Sequence, residues 1–442
     1  MYTIVALATP PMNGAIHIIR ISGKDTYKII NKISNQKVLH KGYCVQKVWI
    51  VNNDQKIDQV LLIKFVSPKS YTGEDLIEIN CHGGYFLANK IIQLLISKGC
   101  RLAKHGEFTQ RAFINNKISL IEAESANDLV NASSEWAITL ATSGFNNAMQ
   151  TKLHDFKNKI FSLLAQVEIN IDYPEFDDVP DIKPTKFKQI LDIMIKEMKK
   201  IINISNQSLI IHRGINVGIV GKPNVGKSSL LNAILRNNRA IISPIKGTTR
   251  DVIKESINIQ GITFNFLDTA GVYKTNKKID LLSIGKTKEV ITNADLILMV
   301  VDGTAHLDKN DFNILKLIGN KKHLVAINKN DLHSKCNIHG IKVSAKQGKL
   351  NNLIKHIISI TKIEDSCTKN MLFIIPSTVL IGFMQHCVDN LSKAQEIINT
   401  HQPFDLTTNY LHDALDDVSL ILGEKKNLDF INEMFQNFCV GK

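Results

Sequence analysis

The residue pattern with the clearest chemistry lies between positions 221 and 228, where the sequence reads GKPNVGKS. It matches G-x-x-x-x-G-K-[ST] in full, follows the apolar run INVGIV and precedes a segment with helical apolar spacing. Glycines let backbone N–H groups surround phosphate oxygens, and a helix N-terminus adds partial positive charge. We therefore predict a phosphate-binding loop in which Lys227 reaches the β- and γ-phosphates and Ser228 offers its hydroxyl to Mg²⁺.

Further polar segments follow in the order and spacing of a GTPase. Thr249 lies in a switch-like GTTRD segment, and its hydroxyl is predicted to complete the Mg²⁺ shell. An alternating strand at 262–266 leads into the segment DTAG. In that segment we expect Asp268 to hold Mg²⁺ through its shell and Gly271 to meet the γ-phosphate with its N–H.

The base is predicted from the segment NKND at 328–331, which follows an apolar strand at 324–327. The Asp331 carboxylate can accept hydrogen bonds from N1–H and from the 2-amino group of guanine, and adenine has no such pair of donors. The short segment 344–346, SAK, follows another strand and is predicted to support the base. The predicted nucleotide is therefore GTP rather than ATP.

These segments define the predicted nucleotide contacts and the catalytic candidates. The predicted contacts are Asn224, Val225, Gly226, Lys227, Ser228, Ser229, Ser243, Pro244, Ile245, Lys246, Gly247, Thr248, Thr249, Asp268, Thr269, Ala270, Gly271, Asn328, Lys329, Asp331, Ser344, Ala345 and Lys346. Position 272 is Val rather than a water-positioning Gln, so another group must orient the attacking water. Lys227 and Gly271 are the predicted catalytic groups, and Asp280 is the acidic candidate, with a solvated helix charge as its alternative interpretation.

Length and composition bound the architecture that must position these residues. The chain has 442 residues, of which 44% are apolar and 21% charged, so several folded domains are expected. No uncharged apolar run approaches the roughly 20 residues of a membrane span, and no basic segment precedes the first apolar run. Seven cysteines are scattered without a Cys-x-x-Cys pair. This usage favours a reducing cytoplasm over a disulfide framework or a zinc site.

The net charge of +13 is unevenly distributed. Residues 1–120 carry +9 and residues 213–370 carry +13, whereas residues 121–212 carry −4 and residues 371–442 carry −5. Two interpretations stand at this point: a composition rich in Lys, Asn and Ile, or a nucleic-acid partner. If RNA binds through its phosphates, the two basic segments are the expected surfaces.

Apolar spacing divides the chain in the same way. Short alternating segments among Gly-rich turns predict a small α+β domain at the start. Its predicted strands are 15–21, 60–66 and 76–80. Apolar residues at three- and four-residue steps predict helices. These lie along 153–171, around 190–202, over 406–421 with Gly423 as a C-cap, and over 428–438.

We therefore expect a multidomain α/β and α fold. The predicted segments are 1–117, 118–212, 213–370 and 371–442. They correspond to an N-terminal α+β domain, a helical domain split in two, and a P-loop GTPase domain with a doubly wound, mostly parallel sheet. The economical arrangement inserts the GTPase domain into the helical one.

The whole chain resembles the MnmE family of tRNA modification GTPases. The resemblance is carried, besides the GTPase signatures, by ordered short motifs across the chain. These motifs are TIVA at 3–6, ATPP at 8–11, RISG at 20–23, YTGED at 71–75, HGG at 82–84, GEFTQRAF at 106–113 and FCVGK at 438–442.

The resemblance implies a function beyond GTP hydrolysis. The N-terminal domain would resemble folate-binding domains, carry a 5-formyl- or 5,10-methylene-tetrahydrofolate donor and form a homodimer. With a MnmG-type partner that uses FAD and NADH, a heterotetramer would place aminomethyl or carboxymethylaminomethyl groups on C5 of the wobble uridine of certain tRNAs. GTP hydrolysis would require K⁺.

The resemblance also assigns residues. The folate contacts would be Arg20, Glu78, Lys117 and Lys442, although Arg20 and Lys117 read without it as surface charges. The K⁺ positions would be Asn224, Ser243, Ile245 and Thr248, and the Mg²⁺ positions Ser228 and Thr249. The family usually has Thr at position 243 and Glu at position 280, so the chain departs from the pattern at both positions.

Alternative interpretations concern the whole chain and one residue. A regulatory GTPase of ribosome assembly shares the G-domain signatures but usually carries an RNA-binding domain after them, whereas acidic helices follow here. A stand-alone folate aminomethyltransferase would not need the GTP signatures. Cys439 is a doubtful nucleophile, since it can equally belong to a packed terminus beside Phe438 and Val440.

Overall fold

A computed structural model describes residues 2–172, 183–237, 255–267, 280–333, 335–360, 373–400, 402–425, 428–436, 438 and 441. The strands are β1 (Ile4–Leu7), β2 (Ile16–Ser22), β3 (Cys44–Asn52), β4 (Gln55–Phe65), β5 (Leu76–His82), β6 (Arg101–Leu102), β7 (Ile215–Val220), β8 (Glu255–Ile259), β9 (Ile262–Leu267), β10 (Leu296–Asp302), β11 (His323–Asn328) and β12 (Ile341–Lys342).

The helices occupy most of the remaining described chain. They are α1 (Thr26–Asn31), α2 (Tyr85–Ser97), α3 (Glu107–Ile114), α4 (Leu120–Asn131), α5 (Glu135–Ser143), α6 (Ala148–Asp172), α7 (Pro184–Arg213), α8 (Lys227–Asn237), α9 (Asp280–Asn293), α10 (Lys309–Ile318), α11 (Asn351–Ile360), α12 (Thr378–Asn399), α13 (Thr408–Leu422) and α14 (Leu428–Phe435). Within the described residues, no helix combines the length and apolarity that crossing a membrane requires.

The chain divides into two compact units, of which the first comprises Met1–Asn127, Gln150–Lys196 and Gly382–Lys442. Its six-stranded sheet has the order β3-β4-β5-β2-β1-β6. Neighbouring strands are antiparallel except β1 and β6, which are parallel. Alternate residues of β2 and β5, such as Ile19 and Ile79, are fully buried with Ile29 of α1 and Ile91 of α2. Helices α1 and α2 therefore cover one face of this sheet.

The other face of the sheet carries polar residues near its centre. Register places Arg20 of β2 opposite Glu78 of β5. At the β1 end, Phe108 of α3 is fully buried in a cluster with Ile4 and Ala6. Side chains alternate between the two faces of a strand. The strand residues that alternate with the buried core residues therefore stand on this second face.

Helices complete the first unit, and their buried faces follow the predicted spacing. The helix predicted over 153–171 buries six residues of its apolar stripe, and the seventh, Ile171, is exposed. The buried six are Leu153, Phe156, Ile160, Leu163, Leu164 and Val167. Helix α13 ends at Gly423, whose left-handed backbone (φ +74°) caps the helix as predicted. A Cβ at Gly423 would lie 2.5 Å from the Phe113 ring, so the close approach also requires glycine.

The second unit comprises Asp128–Met149 and Glu197–Ile381. Its sheet has the order β12-β11-β10-β7-β9-β8, and only the β8–β9 pairing is antiparallel. Successive residues of β10 enter different cores: Leu298 packs with α8 and α11, whereas Met299 packs with α9 and α10. The predicted mostly parallel sheet with helices on both faces is present, and it brings the carboxyl ends of β7, β10 and β11 together.

Candidate nucleotide site and a second polar site

The loop between β7 and α8 owes its shape to two glycines. Gly221 has φ +150°, and a Cβ there would lie 2.3 Å from the Val300 carbonyl oxygen. Gly226 has φ +94°, and a Cβ there would lie 2.2 Å from Asn328 Nδ2. Side chains at either position would clash, so both glycines of the predicted phosphate-binding loop are required by close packing. Asn224 also has a left-handed backbone, at φ +64°, and is exposed at the loop surface.

Lys227 is the first residue of α8, and its ammonium group lies within the loop. The Nζ atom donates hydrogen bonds to the carbonyl oxygens of Gly221, at 2.7 Å, and Lys222, at 2.6 Å. Burial lowers the pKa of Lys227. The arrangement places a desolvated cation where the loop is expected to meet phosphate oxygens.

A second loop lysine, Lys222, has a different environment. Its Nζ atom lies 2.8 Å from an Asp308 carboxylate oxygen and 2.7 Å from one of Asp311, at the start of α10. Burial lowers the pKa of Lys222, but the hydrogen bonds to these two carboxylates outweigh it and raise the pKa overall. Lys222 therefore anchors the loop to α10, whereas Lys227 points its charge into the loop.

Asn328 joins the phosphate loop to the predicted base site. It is 3% exposed, and its Nδ2 donates to the Val225 carbonyl oxygen at 2.9 Å. Its Oδ1 accepts from the Ala345 backbone N–H at 3.1 Å. Because both ends of one buried amide are used, segments 221–228 and 344–346 are held in a fixed relation to the end of β11.

Asp331 is oriented by the second predicted base segment. The Ser344 hydroxyl donates to Asp331 Oδ1 at 2.6 Å, and the same oxygen of Ser344 accepts from the Gln347 N–H at 3.2 Å. The hydrogen bond from Ser344 lowers the pKa of Asp331. Its carboxylate is therefore ionised at neutral pH and stands ready to accept two hydrogen bonds from a base edge.

Lys329 is held by an acidic residue that the sequence analysis missed. Lys329 has φ +63°, and its Nζ lies 2.5 Å from Asp302 Oδ2 at the end of β10. The other oxygen of Asp302 accepts from the N–H and hydroxyl of Thr304 at 2.9 and 2.7 Å. A signal was available, because Asp302 ends the buried run LILMVV at the sheet edge where β11 also ends.

Several predicted site residues lie outside the described part of the chain. They are Ser243, Pro244, Ile245, Lys246, Gly247, Thr248, Thr249, Asp268, Thr269, Ala270, Gly271, Cys439 and Lys442. Asp280 begins α9, but its side chain is also outside the described set. Among the described positions, Ser228 is half-buried on the first turn of α8, whereas Ser229 and Lys346 are exposed. The roles of all these residues stay predictions.

The second polar site centres on Arg20. Its Nε and one terminal nitrogen donate to Glu78 Oε1 at 3.0 and 2.8 Å, and the other nitrogen donates to the Gly441 carbonyl oxygen at 2.9 Å. The guanidinium carbon lies 5.8 Å from the centre of the Tyr71 ring and 5.7 Å from that of Phe108. The Arg20 side chain is 20% exposed, so a partly buried cation, an anion and two aromatic rings share one site.

Lys117 is exposed and lies beside the loop that carries Tyr71. A Cβ at Gly73 would lie 3.2 Å from Lys117 Cγ, so the aliphatic stem of the lysine packs on this glycine. The same loop is held by Arg111, whose side chain is 3% exposed and donates a hydrogen bond to a Glu74 carboxylate oxygen at 2.9 Å. The structure therefore brings Arg20 and Glu78 into direct contact and places Lys117 against the loop that borders them.

Comparison with known proteins decides the family. The family described as GTP-binding protein TrmE N-terminus matches residues 3–117, and the MnmE helical domain family matches residues 120–439. The chain belongs to the MnmE family of tRNA modification GTPases. The similarity to MnmE proteins extends over the full length, so it covers both polar sites.

Curated MnmE relatives show the extent of this similarity. The tRNA modification GTPase MnmE of Malacoplasma penetrans is 42% identical, with 100% of this chain and 99% of the relative covered. The proteins of the same name from Ureaplasma parvum and Thermotoga petrophila are 40% and 36% identical, with all of both chains covered. Among solved structures, Aquifex aeolicus Era bound to GDP·AlF4⁻ covers 34% of this chain and 57% of that chain, at 31% identity and a TM-score of 0.26.

Proposed function

We propose that this chain is the GTP-hydrolysing subunit of a complex that modifies C5 of the wobble uridine, position 34, of tRNA with aminomethyl or carboxymethylaminomethyl groups. The observation that carries the GTPase part is the link through Asn328. One buried amide bonds both the phosphate loop at Val225 and the base segment at Ala345. Full-length similarity to proteins named tRNA modification GTPase MnmE supports the tRNA part.

Different residues are proposed to bind different parts of GTP. Asp331 accepts from the guanine edge, and Lys227 neutralises charge on the β- and γ-phosphates as hydrolysis proceeds. Ser228 and Thr249 are the proposed Mg²⁺ ligands, and the half-buried hydroxyl of Ser228 at the start of α8 fits that role. When bound, Mg²⁺ supplies neutralisation of phosphate charge. Gly271 is proposed to meet the γ-phosphate, and Asp280 to organise the attacking water.

Potassium is proposed to bind beside Asn224. The left-handed backbone of this residue and its exposure leave its side-chain oxygen available at the loop surface. Ser243, Ile245 and Thr248 would supply the remaining oxygens. Oxygen donors of this kind suit a hard monovalent cation near the phosphates, where added positive charge stabilises the developing negative charge.

GTP hydrolysis should therefore depend on the cation. We expect the rate in KCl to exceed the rate in NaCl by about tenfold, which corresponds to about 1.4 kcal/mol in the activation free energy. Asn224→Ala should reduce the rate in KCl and leave the rate in NaCl unchanged. Single-turnover phosphate release in the two salts measures this effect. Equal wild-type rates in both salts would contradict a K⁺ role.

The Arg20 site is proposed to hold the tetrahydrofolate one-carbon donor, as a 5-formyl or 5,10-methylene derivative. The Arg20–Glu78 pair offers both donors and an acceptor to a pterin edge. Lys117 and Lys442 would neutralise the glutamate carboxylates of the ligand. The same proposal includes a homodimer through the N-terminal domain, a MnmG-type partner that binds FAD and uses NADH, a heterotetramer with it, and a cytoplasmic location.

Mass spectrometry of tRNA from a deletion strain tests the function as a whole. We expect the strain to lose the C5 substituent of wobble uridine and to regain it when the wild-type chain is restored. A Lys227→Met chain should not restore it. Unchanged C5 modification together with accumulated ribosomal precursor particles would instead favour a ribosome-assembly GTPase.

A further inference from the structure

Asn80 of β5 carries an amide whose donor group is unused within the described residues. The Nδ2 atom is buried, and it has no hydrogen-bond partner within the described part of the chain. A buried amide without an acceptor is costly, and such groups are few in native proteins. An apolar side chain at this position would avoid that cost, so the amide is available to a partner that the described residues do not supply.

The strand geometry places this amide on the same face as the Arg20 site. Side chains two residues apart on a strand share a face, so Asn80 stands on the face of Glu78, opposite the buried Ile79 and Cys81. The separation along the strand is about 7 Å. A fused two-ring heterocycle can span that distance from one side chain to the other.

The neighbours of Asn80 across the sheet are apolar. Its register partners are Ile18 on β2 and Leu61 on β4. Leu61 is 47% exposed and Ile18 is half-buried, so part of this face is accessible. Neither side chain can accept a hydrogen bond, but both can pack under the face of a flat ring.

We infer that the Arg20–Glu78 site continues along β5 to Asn80, which donates a hydrogen bond to an acceptor atom of the bound ring. The ligand class is a flat heteroaromatic with donors and acceptors on its edge. Glu78 takes the donor end of that edge, Asn80 takes an acceptor, and Ile18 and Leu61 form the apolar floor. This inference rests on the proposed folate function and specifies which side chains read the pterin ring.

Ligand binding by two variants tests this inference. Isothermal titration with 5-formyltetrahydrofolate compares the wild-type chain with Asn80→Leu, which removes the donor, and Asn80→Asp, which replaces it by an acceptor. We expect each variant to bind at least about tenfold more weakly, as the loss of one buried hydrogen bond predicts. Asn35→Asp is the matched control, because within the described residues the Asn35 side chain bonds through its oxygen alone, which accepts from the Trp49 N–H.

A truncated ligand tests whether Asn80 contacts the pterin ring or the rest of the folate molecule. p-Aminobenzoylglutamate lacks the pterin ring, so the Asn80 variants should bind it as the wild-type chain does, whereas Lys117→Met should weaken it. The ligand-free Asn80→Leu variant should also have an equal or higher Tm, because it no longer buries an unpaired donor. An equal or higher Tm would show that weaker binding by Asn80→Leu does not arise from unfolding.

The outcomes distinguish the inference from the proposal on which it rests. If Arg20→Met abolishes binding of 5-formyltetrahydrofolate while both Asn80 variants bind like wild type, the role of Asn80 is overturned and the folate site stands. If the wild-type chain binds no folate, both are overturned. If the Asn80 variants weaken the truncated ligand as much as the whole one, Asn80 shapes the site without contacting the ring.

Discussion

Replacing Asp331 by Asn should lower the affinity for GTP by at least about a hundredfold. The carboxylate is expected to accept two hydrogen bonds from guanine, and a hydrogen bond to a charged group contributes about 1.5–3 kcal/mol. Loss of both therefore costs about 3 kcal/mol or more, or two decades in affinity. The amide that replaces the carboxylate would also direct an N–H toward the 2-amino group. Displacement of a fluorescent GDP derivative by GTP measures the change.

The same variant should gain affinity for XTP. Xanthine carries an oxygen at position 2, to which the new amide can donate, so Asp331→Asn should prefer XTP to GTP. Asn330→Ala is the control, because Asn330 lies in the same segment and is exposed. A variant that binds neither nucleotide would show damage to the segment, and one that still prefers GTP would exclude Asp331 from base recognition.

Lys227→Met should nearly abolish GTP hydrolysis. The ammonium is desolvated inside the loop and bonds the carbonyl oxygens of Gly221 and Lys222. Removing one preorganised donor from a transition-state site costs about 2.7–4 kcal/mol, or about a hundred- to a thousandfold in rate. Methionine keeps the length of the side chain without its charge. Single-turnover hydrolysis at saturating GTP measures the loss.

Lys222→Met is the matched control for that experiment. Lys222 lies in the same loop, but its charge pairs with Asp311 of α10 and with Asp308, which caps that helix, rather than being directed into the loop. We expect its hydrolysis rate to fall by less than about tenfold, because a partly exposed ion pair contributes little. If both variants lost activity equally, the loop would be sensitive to any loss of charge and Lys227 would have no special role.

The phosphate loop could be predicted because its shape depends on a few consecutive residues. The strand Ile215–Val220 lies where the sequence pattern predicts it, and α8 begins at Lys227, two residues earlier than the predicted helix start at Ser229. This agreement has a physical cause, since Gly221 and Gly226 tolerate backbone conformations and close contacts that other residues cannot adopt. The requirement is encoded within a few consecutive residues, so it can be read without knowledge of the rest of the fold.

One local hairpin and two residues whose roles depend on distant pairing were not predicted. Strand β3 was not predicted, although the residues after it, Asn53 and Asp54, both have positive φ and form a tight turn into β4. Asn53 and Asp54 were a usable signal for that hairpin. Asp302 and Asn80 owe their importance to the neighbours that sheet register gives them. The sequence marks Asp302 only by its place at the end of a buried run, and it does not mark Asn80.

The hydrogen bond between Arg20 and Gly441 joins residues 421 positions apart. During synthesis, the arginine leaves the ribosome long before its acceptor is made, whereas the proposed nucleotide contacts all lie at or before residue 346. A chain interrupted before Gly441 would therefore keep the proposed GTP contacts and lack part of the Arg20 site. Completion of the second site thus requires that translation has passed Gly441.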